Sequence, residues 1–197
     1  MLKIDRLSFS YGKEKILNDF SLELCGNGVY AIMGPSGCGK STLFSLISGL
    51  LKPQSGEIKH DFERISYAFQ EGRLIPHMTA EENVNFVLGG KKSTLAKAKS
   101  ALESVGLGDD SGKYPSELSG GMQKRVSLAR AIAFEGDFFL FDEPFAGLDE
   151  ETKDNIINLI REIGKNKLVL MITHDSAEAE KCEADILQFN QLNSGIT

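Results

Sequence analysis

The chain has 197 residues, 41% hydrophobic and 25% charged, an ordinary globular composition that excludes a fibrous or disordered protein. Its 22 basic and 28 acidic residues give a net charge of −6, which argues against binding nucleic acid by bulk charge but permits a local anion pocket. No apolar run reaches the roughly 20 residues of a membrane span. The start, Met1-Leu2-Lys3-Ile4-Asp5, reads as a strand and not as a leader, and the scattered Cys25, Cys38 and Cys182 suggest neither a disulfide nor a zinc framework.

Along the chain, the apolar bursts Leu2 to Phe9, Ile16 to Leu24 and Val29 to Met33 are strand-length, with turns at Tyr11-Gly12-Lys13 and Gly26-Asn27-Gly28. From Lys40 to Gly49 the period becomes helical, with Leu43, Leu46 and Ile47 on one face. Arg64 to Phe69 is a further strand. Thr79-Ala80-Glu81-Glu82 starts a helix, and Leu95 to Val105 forms another, so residues 71–117 are expected to form a small helical lobe inserted in an α/β body. A helix runs from Ser119 to about Ala133, and the strand Phe138-Phe139-Leu140-Phe141 must be buried on both faces. Next come a helix from Glu150 to Ile163, a buried strand from Leu168 to Ile172, and a last strand from Ile186 to Phe189. Strand and helix alternate, which predicts an α/β fold with a mainly parallel central sheet. The polar tail Asn190 to Thr197 is expected to fray.

Gly34-Pro35-Ser36-Gly37-Cys38-Gly39-Lys40-Ser41 fits the G-x-x-x-x-G-K-[ST] phosphate loop and lies directly between a buried strand and a helix, the context this motif requires. Its glycines let successive N–H groups turn toward phosphate oxygens, and the helix start adds a positive dipole end. Lys40 is then placed for the outer phosphates, the Ser41 hydroxyl for Mg²⁺, and Thr42 for the α-phosphate. Asp142 and Glu143 follow an apolar strand, where parallel sheets bind ligands: Asp142 suits Mg²⁺, and Glu143 suits orientation of an attacking water.

Leu118-Ser119-Gly120-Gly121-Met122-Gln123 adds a helix start that is a second anion site. With it, the chain resembles the ATP-binding subunits of ABC transporters, and the motif order covers nearly all of it, from Tyr11 to His174. At Phe69-Gln70-Glu71 and Leu74-Ile75-Pro76 it is similar to importers of the nitrate, sulfonate and taurine type; Met122 stands where glutamine is commonest in the family. The resemblance implies a P-loop NTPase core at about 1–70 and 118–197, with an N-terminal antiparallel portion and a helical subdomain at 71–117. The chain stops soon after the last expected strand, so the regulatory C-terminal extension of some importers is expected to be missing.

By the same resemblance, Tyr11 stacks on adenine, Gln70 approaches Mg²⁺ and the lytic water, and His174 contacts the γ-phosphate. Ser119, Gly120 and Gly121 cover the nucleotide of a second, identical, head-to-tail subunit, and Asp149 lies at that dimer contact. ATP and Mg²⁺ are the implied cofactors. The implied partners are transmembrane permease subunits and a solute-binding protein; the apolar stretch Leu74-Ile75-Pro76-His77-Met78, expected to be exposed, is the expected docking surface, since such patches mark partner sites. These partners would hold the chain on the inner face of the cell membrane. The other class considered is an ABC-type ATPase of a soluble DNA-repair or translation machine; the acidic charge and the lack of a heptad insertion or second copy count against it.

Overall fold

A computed structural model describes residues 1–193. Two sheets form its frame. The first is antiparallel, in the order β2-β1-β4, from β1 (Leu2–Tyr11), β2 (Glu14–Leu24) and β4 (Ser55–His60). The second is parallel, in the order β5-β6-β7-β3-β8, from β3 (Gly28–Met33), β5 (Ile65–Ala68), β6 (Phe138–Asp142), β7 (Leu168–Ile172) and β8 (Asp185–Gln188).

The parallel strands sort their side chains by parity, as the two-residue strand period dictates. Phe139, Phe141, Val169, Met171, Val29 and Ala31 face one core. It also receives residues of α4 (Gly120–Phe134) and α5 (Glu150–Gly164). Phe138, Leu140, Leu168, Leu170 and Ile172 face the other core, against α1 (Lys40–Ile47) and the antiparallel sheet. Every residue of β6 and β7 is buried, which explains their unbroken apolar runs.

Helices α2 (Ala80–Val87) and α3 (Leu95–Ser104) pack on each other and on α4. Thr79 caps α2 in a reciprocal box with Glu82, as the Thr79-Ala80-Glu81-Glu82 pattern indicates.

Three features differ from expectation. Strand β4 escapes the sequence reading because its side chains are exposed apart from the half-buried Ile58; an edge strand gains its ladder to β1 without a buried face. A short helix, α6 (Ser176–Lys181), precedes β8. The tail does not fray through Asn193: Phe189, expected as a strand residue, opens α7 (Phe189–Leu192) and is fully buried. Asn193 is buried too, accepting from the Asn18 N–H at 2.8 Å and donating to the Ile16 carbonyl at 3.0 Å. The rest of the expected fraying tail, 194–197, lies outside the described residues.

Candidate active site

The parallel order sends the carboxyl ends of β3, β5, β6 and β7 to one edge of the sheet, where open α/β sheets hold ligands. From β3 the chain enters the phosphate loop. Gly37 and Gly39 adopt left-handed φ values of 77° and 111°, which a side chain would strain. Gly39 also has no room: a Cβ there would stand 2.4 Å from Ile16 Cγ2. Helix α1 starts with neither a side-chain cap nor an acidic residue in its first turn, so its leading N–H groups are left for an anion.

Lys40 is only 5% exposed. Its ammonium donates to the carbonyls of Gly34 at 2.8 Å and Pro35 at 2.7 Å, which preorganises a cation at the loop. A cleft of about 210 Å³ brings Ser36, Gly37, Gly39, Lys40, Ser41 and Thr42 together with Gln70, Glu143 and His174 on the other side. Gly34, Pro35 and Cys38 do not line it. Gly34 instead backs onto Phe189, whose Cβ would lie 3.1 Å from a Cβ at that glycine.

Glu143 is the hub. It follows β6 at a left-handed φ of 50°, and its N–H donates to the Ile172 carbonyl at 3.1 Å. One carboxylate oxygen accepts from Gln70 Nε2 at 3.0 Å, and the other lies 2.7 Å from His174 Nε2. Gln70 comes from the end of β5 and His174 from the end of β7, so three sequence-predicted residues meet although they lie far apart in the chain.

Asp142 sits beneath them, 4% exposed, with Oδ1 buried and without a hydrogen-bond partner. Burial pushes its carboxyl up; the Ser41 hydroxyl pulls it back, and Glu143 adds to the rise. An orphaned carboxylate oxygen beside a hydroxyl is a donor set that fits a hard cation such as Mg²⁺.

Other expected residues stand apart from this cleft. Tyr11 ends β1, half exposed, with its ring edge-on to Phe9 at 5.0 Å. Ser119 caps α4 by accepting from the Met122 N–H at 3.2 Å, and Gly120 is exposed beside it. Gly121 presses on the Asp149 loop, since a Cβ there would be 3.0 Å from the Gly147 carbonyl oxygen. Asp149 caps α5 through the Thr152 N–H at 2.9 Å and hydroxyl at 2.8 Å, donors that hold its carboxyl below the usual range.

The stretch expected as an exposed apolar docking patch is largely folded inward. Asn83 clamps it, accepting from Ile75 N–H at 2.7 Å and donating to the carbonyls of Ile75, Met78 and Thr79, and only Pro76 and His77 are fully exposed. The open apolar surface lies alongside, a groove of about 450 Å³ whose walls include Phe69, Arg73, Ile75, Phe86 and Phe134. Phe86 is 56% exposed.

Two basic residues of α4 were missed by sequence reasoning. Arg130 donates to the Gly72 and Arg73 carbonyls at 3.0 Å each, fixing the segment after Gln70. Lys124 donates to the carbonyls of Glu143 and Ala146. Both look like solvated helix charges in sequence, and no local signal distinguishes them.

The ABC transporter family model matches residues 17–146. The chain is 35% identical to the ergothioneine transport ATP-binding protein EgtV of Helicobacter pylori, over 98% of each chain. It is 40% identical to the aliphatic sulfonates import ATP-binding protein SsuB of Pectobacterium atrosepticum, over 90% of this chain and 70% of that one. Among solved structures, the dimeric post-hydrolysis state of the ATP-binding cassette MJ0796, bound to ADP and Pi, superposes with a TM-score of 0.87 at 30% identity, covering 96% of this chain and 94% of that one. The protein therefore belongs to the ABC transporter family. Within it, the chain is an ATP-binding subunit, an ATPase of the P-loop α/β type that powers transport. Among the described residues, no helix is long and apolar enough to cross a membrane.

Proposed function

We propose that this subunit hydrolyses ATP across a head-to-tail dimer of two copies, driving transmembrane permease subunits from the inner face of the membrane. The observation that carries the reading is the Glu143 carboxylate, held between Gln70 and His174 at the mouth of the phosphate-loop cleft. The loop from Gly34 to Ser41, with Thr42, holds the phosphates, and Tyr11 takes the adenine. Ser41, Gln70 and Asp142 would hold Mg²⁺, which would supply positive charge to the phosphate oxygens. Among the described residues no three His, Cys, Asp or Glu converge as a cation cage, which suits an ion that completes its shell with phosphate and water.

Glu143 acts as general base: it takes a proton from the attacking water as the water oxygen bonds to the γ-phosphorus and ADP leaves. His174 and Lys40 stabilise the charge that grows on the phosphoryl oxygens, a contribution of preorganised electrostatics. Ser119 and Gly120 are exposed, Gly121 is half-buried against the Gly147 carbonyl, and none of the three lines this chain's own cleft, which supports their closing the partner copy's site, with Asp149 at the same contact. The α2–α3 segment, within 71–117, works as a helical subdomain. The groove at Phe86 and Phe69 is the docking surface for the permease subunits, since an exposed apolar concavity suits a partner. The relatives named for import favour an importer served by a solute-binding protein.

The test is light scattering on Glu143→Gln, with and without ATP. An amide at this position can still accept from Gln70 and donate to a neutral His174, so folding is preserved while the base is lost. Turnover should fall about 10²- to 10⁴-fold, the usual range for a lost general base, and a dimer should appear with ATP alone. Ser119→Arg in the same background should bind ATP and stay monomeric. Wild-type turnover by Glu143→Gln would remove Glu143 from its role, and loss of ATP binding by Ser119→Arg would remove that residue from the partner's site.

A further inference from the structure

Glu143 needs more support than its carboxylate contacts give. A non-glycine residue at φ 50° persists only where its surroundings hold it. Its N–H is tied to β7, but the turn it opens is closed only by a long bond, Ala146 N–H to the Glu143 carbonyl at 3.4 Å. The shorter bond to that carbonyl comes from elsewhere: the Lys124 ammonium, one turn inside α4, donates to it at 3.1 Å and to the Ala146 carbonyl at 3.3 Å. One side chain thus grips both ends of the Glu143-Pro144-Phe145-Ala146 segment.

The residue directly after this segment is pressed by the first turn of α4 itself, where Gly121 approaches the Gly147 carbonyl so closely that a Cβ would sit 3.0 Å away. The helix carrying the second anion-binding terminus and the segment carrying the base are therefore joined by a close backbone contact and a cationic strap. The strap is half-buried; burial pulls its pKa down, while the Glu143 and Asp142 carboxylates push it up. Lys124 lies outside the lining of the phosphate-loop cleft.

We propose that Lys124 is a positioning residue for hydrolysis, fixing the Glu143 main chain to helix α4 so that the base is aligned while α4 is seated. The inference rests on the reading of Glu143 as the base. Charge-assisted bonds to carbonyls are stronger than neutral ones, so an ammonium holds this turn better than an amide would. Misplacement of a catalytic group by about 1 Å can cost on the order of 10²-fold in rate.

The experiment is steady-state ATP hydrolysis by the full chain carrying Lys124→Met, Lys124→Gln or Lys124→Arg, each alone and with Glu143→Gln. Lys124→Met should lower kcat about 10- to 100-fold with the KM for ATP within about twofold, because alignment and not binding is lost. Lys124→Arg, which keeps charge and donors, should recover most of kcat, and Lys124→Gln should fall between. In the Glu143→Gln background, Lys124→Met should cost less than about threefold more, since residues acting as a unit are not additive. Unchanged kcat in Lys124→Met, a tenfold rise in KM, a full second loss in the Glu143→Gln background, or failure of both Met and Gln variants to fold would each overturn the assignment. If Glu143→Gln alone turned over normally, the base reading would fail first. If it were dead and Lys124→Met normal, only the role of Lys124 would fail.

Discussion

Phe189→Ala tests whether the end of the described chain supports the phosphate loop. The Phe189 ring is fully buried, 5.5 Å from the Phe20 ring. It lies behind the loop at two points, its Cβ 3.1 Å from a Cβ built on Gly34 and its Cζ 3.5 Å from one built on Gly39. Truncating a buried Phe to Ala costs about 3–5 kcal/mol. Against a total of about 5–15 kcal/mol, most of the population should stay folded. With a urea m-value of about 3 kcal/mol/M, the upper end of the small-protein range, the unfolding midpoint should drop by about 1–1.7 M. The cavity would face the backs of both loop glycines, so ATP affinity measured by calorimetry should weaken up to about tenfold as the loop gains conformations that binding must remove. Phe86→Ala, at an exposed position, is the control and should shift stability by less than about 0.5 kcal/mol. A midpoint change under about 0.3 M for Phe189→Ala would refute the packing argument. A full stability loss with unchanged ATP affinity would refute the link from α7 to the loop.

Two further outcomes are expected. Lys40→Ala should weaken ATP binding by about 100-fold or more, from two lost charge-assisted bonds of about 1.5–3 kcal/mol each, and an unchanged Kd by calorimetry would contradict the phosphate-loop reading. Alkylation by iodoacetamide near pH 8, read by mass spectrometry, should modify exposed Cys25 and partly exposed Cys38 but spare buried Cys182, whose thiol burial pushes up to about 12. Rapid modification of Cys182 in folded protein would show that its site opens.

What could be read from the chain was chemistry carried by neighbouring residues. The phosphate loop is legible because each of its properties, left-handed glycines, a helix start and a lysine, sits within eight consecutive positions. Asp142 and Glu143 were legible because four buried apolar residues precede them and fix them at a strand end. His174 and Gln70 became interpretable only through the resemblance: neither has local context that brings it to Glu143, and the sheet order alone puts the three strand ends side by side. Lys124 was invisible for the same reason in stronger form, since its carbonyl partners lie 19 and 22 residues away and a lysine on a helix ordinarily reads as solvated. Asn193 is the extreme case, its partners being 175 and 177 residues distant, so the polar stretch 190–193, a short helix and its anchored cap, reads in sequence as a loose end.

These missed contacts share a physical character. Each is a polar side chain that satisfies main-chain groups of a distant segment, and main-chain groups have no sequence signature. Two elements of the active centre depend on such contacts: α7 behind the phosphate loop and α4 beside Glu143. Their supports therefore lie outside the motifs. On the proposed mechanism, motif residues define which reaction the chain can carry out, while Asn193, Phe189 and Lys124 set how firmly the reacting groups are held. A substitution at one of these supports should accordingly change nucleotide affinity or turnover while every motif residue remains in place.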